Sequence, residues 1–310
     1  MTVAPQRTAL AELLARVSSA RGRLYADRLT QAGLGEAGEV TRTTLARIPL
    51  TRRDDLVRDQ LDYLPHGTRR VAGAGTPVRT GVSGSGDALL VLTWTAHDLA
   101  HERAAGARVL GRFGVWAGMR VANTLPGALI TPGSLLLGDV IEEIGGLDVP
   151  LGTIESDAAA KQAWELVDRV RPDVLVLEAA TAARFVAAAP AGARDWWRGV
   201  VWLMRDARTQ VSPPSLPGFT GWQRRWLAIP EASSFVAGSC SSGNFHVDDE
   251  IIAEIVDERG APLYAGSDGE LVVTTLGFET PAVRYATGVR ARMPASPCPC
   301  GESGIALELR

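Results

Sequence analysis

The chain has 310 residues, is 46% hydrophobic and 22% charged, and carries a net charge of −3. That length suffices for one large α/β domain or two modest ones with a substantial core. The near-neutral charge gives no general attraction to nucleic acid or to an anionic membrane surface. No run of about 18 apolar residues occurs, and the N-terminal stretch lacks a signal-peptide core. The expectation is a cytoplasmic protein that binds neither nucleic acid nor membrane.

Residues 4–35 and 42–60 read as helices. Within the second, Thr51 with Asp54 three residues on has the spacing of a capping box. Residues 78–95 begin Gly-rich and end in the strand-like run ALLVLTW. Thr95 and Asp98 then start a helix that continues to about Phe113. From there strand and helix patterns alternate. MRVANTL, LDVPLG, PDVLVLEA and RGVVWLM read as strands, separated by the helical patterns SLLLGDVIEEIG, DAAAKQAWELVDRV and TAARFVAAA. Such alternation predicts a parallel sheet with helices packed on it. After about Pro230 the pattern changes to period two with Gly-rich turns, which predicts antiparallel strands. The expected fold class is therefore α/β, a mostly parallel sheet flanked by helices plus a β-rich subdomain. Three parts are expected: an N-terminal helical segment (1–75), an α/β part with the Gly-rich loop (76–228) and the β-rich part (229–310).

All three cysteines lie in the β-rich part. Cys240 and His246 are six positions apart. Cys298 and Cys300 flank one proline some fifty residues later. Thiolate and imidazole in two-plus-two array suit a tetrahedral, structural zinc ion. The alternative is three buried free cysteines and a surface histidine. No water-activating residue stands beside the set, so a structural role is expected. Of the 32 basic residues only Lys161 is a lysine, and its place in a helical pattern makes it a solvated helix residue.

Two further features offer weaker signals. His97 and His101 lie at i, i+4 on one predicted helix, beside Glu102, which is a spacing that can bind a metal. No third ligand is suggested, and a solvated or capping face is the reading. Asn123, Thr124 and Pro126 follow a strand and are placed to line a cleft at its carboxyl end. The tryptophans, Trp196 and Trp197 among them, read as core or subunit contacts.

The stretch from Gly243 to Gly304 resembles the phenylacetate–CoA ligase group of adenylate-forming enzymes. The matching residues are Cys240, His246-Val247, Glu254-Ile-Val-Asp257, Gly269-Glu-Leu-Val272, Thr274-Thr-Leu276, Pro281, Arg284-Tyr285, Thr287-Gly288 and Cys298-Pro-Cys300-Gly301. Upstream, IPLTRRDDL and TGVSGSGD followed by Thr95 and Asp98 are collinear with the same group. The resemblance implies the large domain of such a ligase, and some members of the group bind zinc with this Cys/His set. It also implies ATP and Mg²⁺, an acyl-adenylate, and a small carboxylic acid or acyl thioester as substrate. Ser83-Gly84-Ser85-Gly86 would be the phosphate loop, Glu231 the magnesium ligand, and Trp226 and Tyr285 nucleotide contacts.

The sequence departs from that pattern at several points. Asp87 stands after the Gly-rich loop in place of Lys or Pro, and a Gly/Ser turn between strands is the alternative for that segment. Pro230 precedes Glu231, for which a solvated loop residue is the alternative. Val289 replaces the aspartate that holds the ribose in the family, and valine accepts no hydrogen bond. The chain ends at GIALELR, where the family continues into a mobile lid with a catalytic lysine. The expectation is a large domain without its lid. Three readings stay open: a ligase completed by a separate lid chain or carrier protein, an ATP-independent acyl-transfer enzyme, and a non-catalytic scaffold. A homodimer is expected in each.

Overall fold

The computed structural model describes residues 4–20, 23–34, 42–127, 131–190, 197–205 and 219–310. The N-terminal part holds four short helices, α1 (Ala4–Ser18), α2 (Leu24–Gln31), α3 (Arg42–Arg47) and α4 (Arg53–Asp62). The two long helices expected there are thus each divided. Pro49 accounts for the second break, since it cannot continue a helix and pushes its predecessor to an extended conformation. Thr51 is not the cap of α4. It is fully buried, and its hydroxyl donates to the Val283 carbonyl at 2.9 Å. Asp55 serves α4 instead, its carboxylate accepting from the Arg52 N–H at 2.8 Å.

A hairpin of β1 (Pro77–Ser83) and β2 (Leu90–Thr95) leads into α5 (Ala96–Arg112). The expected cap of α5 is present in both directions. Thr95 Oγ1 accepts from the Asp98 N–H at 3.1 Å, and Asp98 accepts from the Thr95 N–H at 3.2 Å. Then follow β3 (Arg120–Asn123), α6 (Ser134–Ile144), β4 (Leu147–Pro150), α7 (Asp157–Val170), β5 (Val174–Glu178), α8 (Ala179–Ala187), β6 (Gly199–Met204) and β7 (Trp222–Ile229). The remaining strands are β8 (Ser233–Ser239), β9 (Phe245–Val247), β10 (Ile251–Val256), β11 (Asp268–Thr275), β12 (Tyr285–Arg292) and β13 (Ala306–Leu309).

Eleven of these strands form one sheet, in the order β10-β11-β12-β13-β9-β8-β7-β6-β5-β3-β4. The four pairings from β7 to β4 are parallel and the other six antiparallel. This corrects the expectation of a mostly parallel sheet. The period-two strands after Pro230 do not build a sheet of their own. The tight β7–β8 turn feeds them onto the open edge of the parallel half, so they extend it.

The central parallel strands β3, β5 and β6 are buried on both faces, as their near-continuous apolar runs require. Val174, Val176 and Val201 pack on one side with α5 and α6. Leu175, Leu177 and Val200 pack on the other with α7 and α8. There Trp164 stacks on Phe185 at 4.5 Å and on Trp197 at 5.3 Å, so Trp197 is a core residue. Trp196 lies outside the described residues. Helices α1 to α3 cover Ile252, Leu276 and Val283 of the antiparallel half.

Arg284 joins these layers. It is 2% exposed and spends all five guanidinium donors. Glu254 on β10 accepts two of them at 3.0 and 3.2 Å. The carbonyls of Ala46, Ile48 and Gly260 accept the others at 2.9, 2.7 and 2.8 Å. Removing one member of a buried ion pair leaves the other unpaired. Arg284→Leu is therefore expected to lower unfolding free energy in urea by about 3–5 kcal/mol, and Arg284→Lys, with three donors and no fork, to recover only part of that.

A second buried charge lies beneath β8. Glu102 on α5 is 1% exposed and accepts from the Ser233 hydroxyl at 3.0 Å and the Ser234 N–H at 3.1 Å. Burial pushes its carboxyl up to about 7, and those hydrogen bonds only partly oppose it. Between its ordinary value and about 7 the unfolded chain has lost this proton while the folded chain keeps it, so stability falls as pH rises through that window. Glu102→Gln should remove about 2 kcal/mol of the stability difference between pH 5 and pH 8, read by urea unfolding at each pH.

Candidate functional site

Two of the constellations expected from the sequence assemble among the described residues. The first is the cysteine–histidine set. The β7–β8 hairpin and the turn after it bring Cys240 next to β9, which carries His246. The C-terminal turn before β13 brings Cys298 and Cys300 against them. The four ligand atoms lie within 4.8 Å of one another. Cys240 Sγ and Cys298 Sγ are 3.6 Å apart, and Cys300 Sγ is 3.2 Å from His246 Nε2. Edges of this length match a tetrahedron of about 2.3 Å metal–sulfur and 2.0 Å metal–nitrogen bonds. Cys240, His246 and Cys298 are buried. The Nδ1 of His246 is buried and has no hydrogen-bond partner among the described residues, so the ring is held by packing and by its contact with Cys300.

The thiols are electrostatically unequal. Burial works against the Cys298 thiolate, but hydrogen bonds from the Cys300 backbone, His246 and Asn244 outweigh it and bring the thiol down to about 6. Burial, with the two neighbouring thiols, pushes Cys300 up to about 11. Three thiolates this close repel one another, and a divalent cation removes the conflict. The donor set fits a borderline metal. Metal analysis of protein purified without chelator should find about one equivalent, falling below about half an equivalent in Cys298→Ser.

The second constellation is a cleft of about 310 Å³ at the carboxyl ends of β6 and β7, where ligand sites form in α/β sheets. It is lined by Ser83 and Gly84 of the Gly-rich turn, by Ala228 to Glu231 at the end of β7, and by Tyr285, Thr287 and Val289 of β12. Four residues singled out in the sequence, Ser83, Gly84, Glu231 and Tyr285, thus share one cavity. Val289 presents its apolar side chain there. Ser85 and Gly86 do not line the cleft; they are exposed at the hairpin tip with Asp87.

Trp226 is not at the cleft either. It is fully buried, stacks on Phe235 at 4.5 Å and donates Nε1–H to the Ser234 carbonyl at 2.7 Å. No face of its ring is left for a ligand. Asn123 and Thr124 are likewise spent inside the fold. Asn123 bridges the Ser134 carbonyl and the Leu125 N–H, and Thr124 donates to the Val176 carbonyl at 2.8 Å. Lys161 is exposed on α7.

Sequence reasoning missed Arg53 and Arg205, the two guanidiniums at the cleft. Arg53 pairs with the Glu231 carboxylate. It also donates to Ser83 Oγ at 3.0 Å and to the carbonyls of Ser83 and Ala88, each at 2.7 Å. These two carbonyls bracket the Gly-rich turn, so Arg53 holds the turn from inside. Gly84, at φ +77°, lies so close that an added Cβ would sit 2.3 Å from Arg53 Nη2. Such a Cβ would also sit 2.7 Å from the Ala88 backbone carbonyl, which together with the positive φ requires glycine here. Glu231 is buried, not a solvated loop residue, and its backbone carbonyl accepts from Arg69 at 2.8 Å. Arg205 is anchored by Glu178 and by the Pro132 carbonyl at 2.6 Å. The available signal for Arg53 was its position two residues after Thr51, in IPLTRRDDL.

No family model matches the sequence, and a sequence comparison with curated proteins finds no match. Solved structures do match in fold. A 2-hydroxyisobutyryl-CoA ligase in an open conformation, in complex with 2-HIB-AMP and CoA, superposes with a TM-score of 0.84 at 16% identity, over 97% of this chain and 72% of that one. The same enzyme in its postadenylation state with 2-HIB-AMP gives 0.85 at 15% identity, and there the chain spans 65% of its length. A long-chain-fatty-acid–CoA ligase from Archaeoglobus fulgidus gives 0.53 at 12% identity over 74% of this chain and 50% of that one. The chain therefore has the fold of the large domain of adenylate-forming CoA ligases.

Proposed function

We propose that this chain is a diverged protein of the phenylacetate–CoA ligase type, and that its cleft takes a small carboxylic acid as a ready-made acyl thioester and transfers the acyl group without ATP and magnesium. The observation that carries this reading is the Arg53–Glu231 pair. The carboxylate placed to hold a divalent cation already has a fixed cation, and removing Arg53 would leave Glu231 buried and unpaired. Val289 supports the same reading, because the wall that would grip a ribose offers an apolar side chain. The chemistry requires an acceptor nucleophile to attack the thioester carbonyl. The carbon–sulfur bond then breaks, and the thiol leaves with the acceptor's proton. Arg205 lines the cleft and is the cation available to the developing oxyanion, since Arg53 is committed to Glu231 and the Gly-rich turn. The Cys240, His246, Cys298 and Cys300 set holds one structural zinc ion. Four protein ligands close its coordination, so the metal fastens the last turn of the chain to the loop after β8 and takes no part in the transfer.

Calorimetric titration with ATP–Mg²⁺ should give no binding up to about 1 mM, whereas a dissociation constant below about 100 µM would overturn the ATP-independent reading. A panel of short acyl- and aryl-CoA thioesters with amine acceptors, read by chromatography of released CoA, supplies the positive arm. Neither release nor a shift in thermal unfolding with any thioester would sink the acyl-transfer reading.

A further inference from the structure

Helix α5 carries two imidazoles one turn apart on the same face, where i, i+4 side chains meet. His97 Nε2 and His101 Nε2 are 3.1 Å from each other, with ring centroids 4.6 Å apart. Glu250, between β9 and β10, accepts from His101 Nδ1 at 2.8 Å. That contact places the ring proton on Nδ1 and the lone pair on Nε2, aimed at His97. A carboxylate behind an imidazole in this way is the usual support of a metal-ligating histidine. A third donor atom comes from the loop after β11, whose Gly277 carbonyl lies 3.0 Å from His97 Nε2. Gly277 adopts φ +79°, and a Cβ there would sit 2.5 Å from His101 Cε1, so only glycine lets this carbonyl approach the pair.

We propose that His97 Nε2, His101 Nε2 and the Gly277 carbonyl form a second metal site, distinct from the cysteine–histidine set, that takes a borderline divalent transition ion with water completing its shell. The two contact lengths match the edges, about 3.0 Å, made by neighbouring ligands at right angles around an ion with bonds of about 2.1 Å. In the metal-free chain one N–H of His97 serves both the carbonyl and the lone pair of His101. A shift of that proton to Nδ1 of His97 frees all three donor atoms for the ion. The surrounding charge favours a cation. Asp98 on α5, Glu250 and Glu279 interact with the two rings, against two guanidiniums, Arg108 paired with Glu250 and Arg16 paired with Glu279. His97 is exposed, so an ion has a path in. Occupancy would clamp the start of α5 to the β11–β12 loop.

The test begins with full-length protein carrying one zinc equivalent, so that the thiolate site is filled. Titration with NiCl₂ alone by calorimetry should reveal one further equivalent with a dissociation constant below about 100 µM. His97→Gln, at an exposed position, and His101→Ala should each weaken it by about tenfold or more. Thermal unfolding without nickel identifies any loss of folding in His101→Ala, and His97→Gln then carries the comparison. The nickel spectrum should show weak d–d bands without thiolate charge transfer. No further equivalent, unchanged binding in His97→Gln, or a thiolate charge-transfer band would each overturn the proposal.

Discussion

The buried guanidinium of Arg284 is the point on which the rest of the structure depends. Its five donors meet acceptors from β10, from the turn after β10, and from the chain around α3. A charge taken out of water persists only when every donor is answered, and here each is. Arg284 also holds a positive φ of +43°, which surrounding contacts must impose on a non-glycine residue. The result is local and exact in placement. The Arg284 carbonyl accepts from the Thr51 N–H at 2.9 Å, and the Thr51 carbonyl accepts from the Ala286 N–H at 2.9 Å. This small parallel bridge brings Tyr285 and Arg53, two residues after Thr51, into the lining of the same cleft.

Helix α5 is the second organiser. Its buried carboxylates reach in two directions. Asp98 accepts from the Glu279 N–H at 2.7 Å and the Thr280 hydroxyl at 3.1 Å, which holds the β11–β12 loop. Glu102 holds the first residues of β8, which begins two residues after Glu231. One helix therefore sets both the cleft lining near Glu231 and the loop that carries Gly277.

The Gly-rich turn shows how one local pattern serves different chemistry. Glycines at positive φ suit a backbone cradle for phosphate. Here the turn instead presents the Ser83 and Ala88 carbonyls to a guanidinium. Carbonyls aimed at a cation and N–H groups aimed at an anion call for similar glycine content and opposite electrostatics. Only the position of Arg53 distinguishes them.

The sequence by itself determined most of the local elements and the grouping of the three cysteines with one histidine. The apolar runs of β5 and β6, the Thr95–Asp98 cap and the two-plus-two spacing of Cys240, His246, Cys298 and Cys300 are short-range signals, governed by periodicity, capping and ligand chemistry. The location of Ser83, Gly84, Glu231 and Tyr285 in one cleft was legible through motif order. Tertiary structure decided the rest. The sheet became mostly antiparallel because the strands after β7 joined an existing edge, which no local period records. Trp226 went to the core because its neighbour Phe235 offered a stacking face and Ser234 a carbonyl. Arg53 reached Glu231, 178 residues away in the chain, and the Gly277 carbonyl reached His97, 180 residues away. Such contacts depend on which loops the packed sheet brings together, and that is fixed by burial of charge and apolar surface across the whole chain.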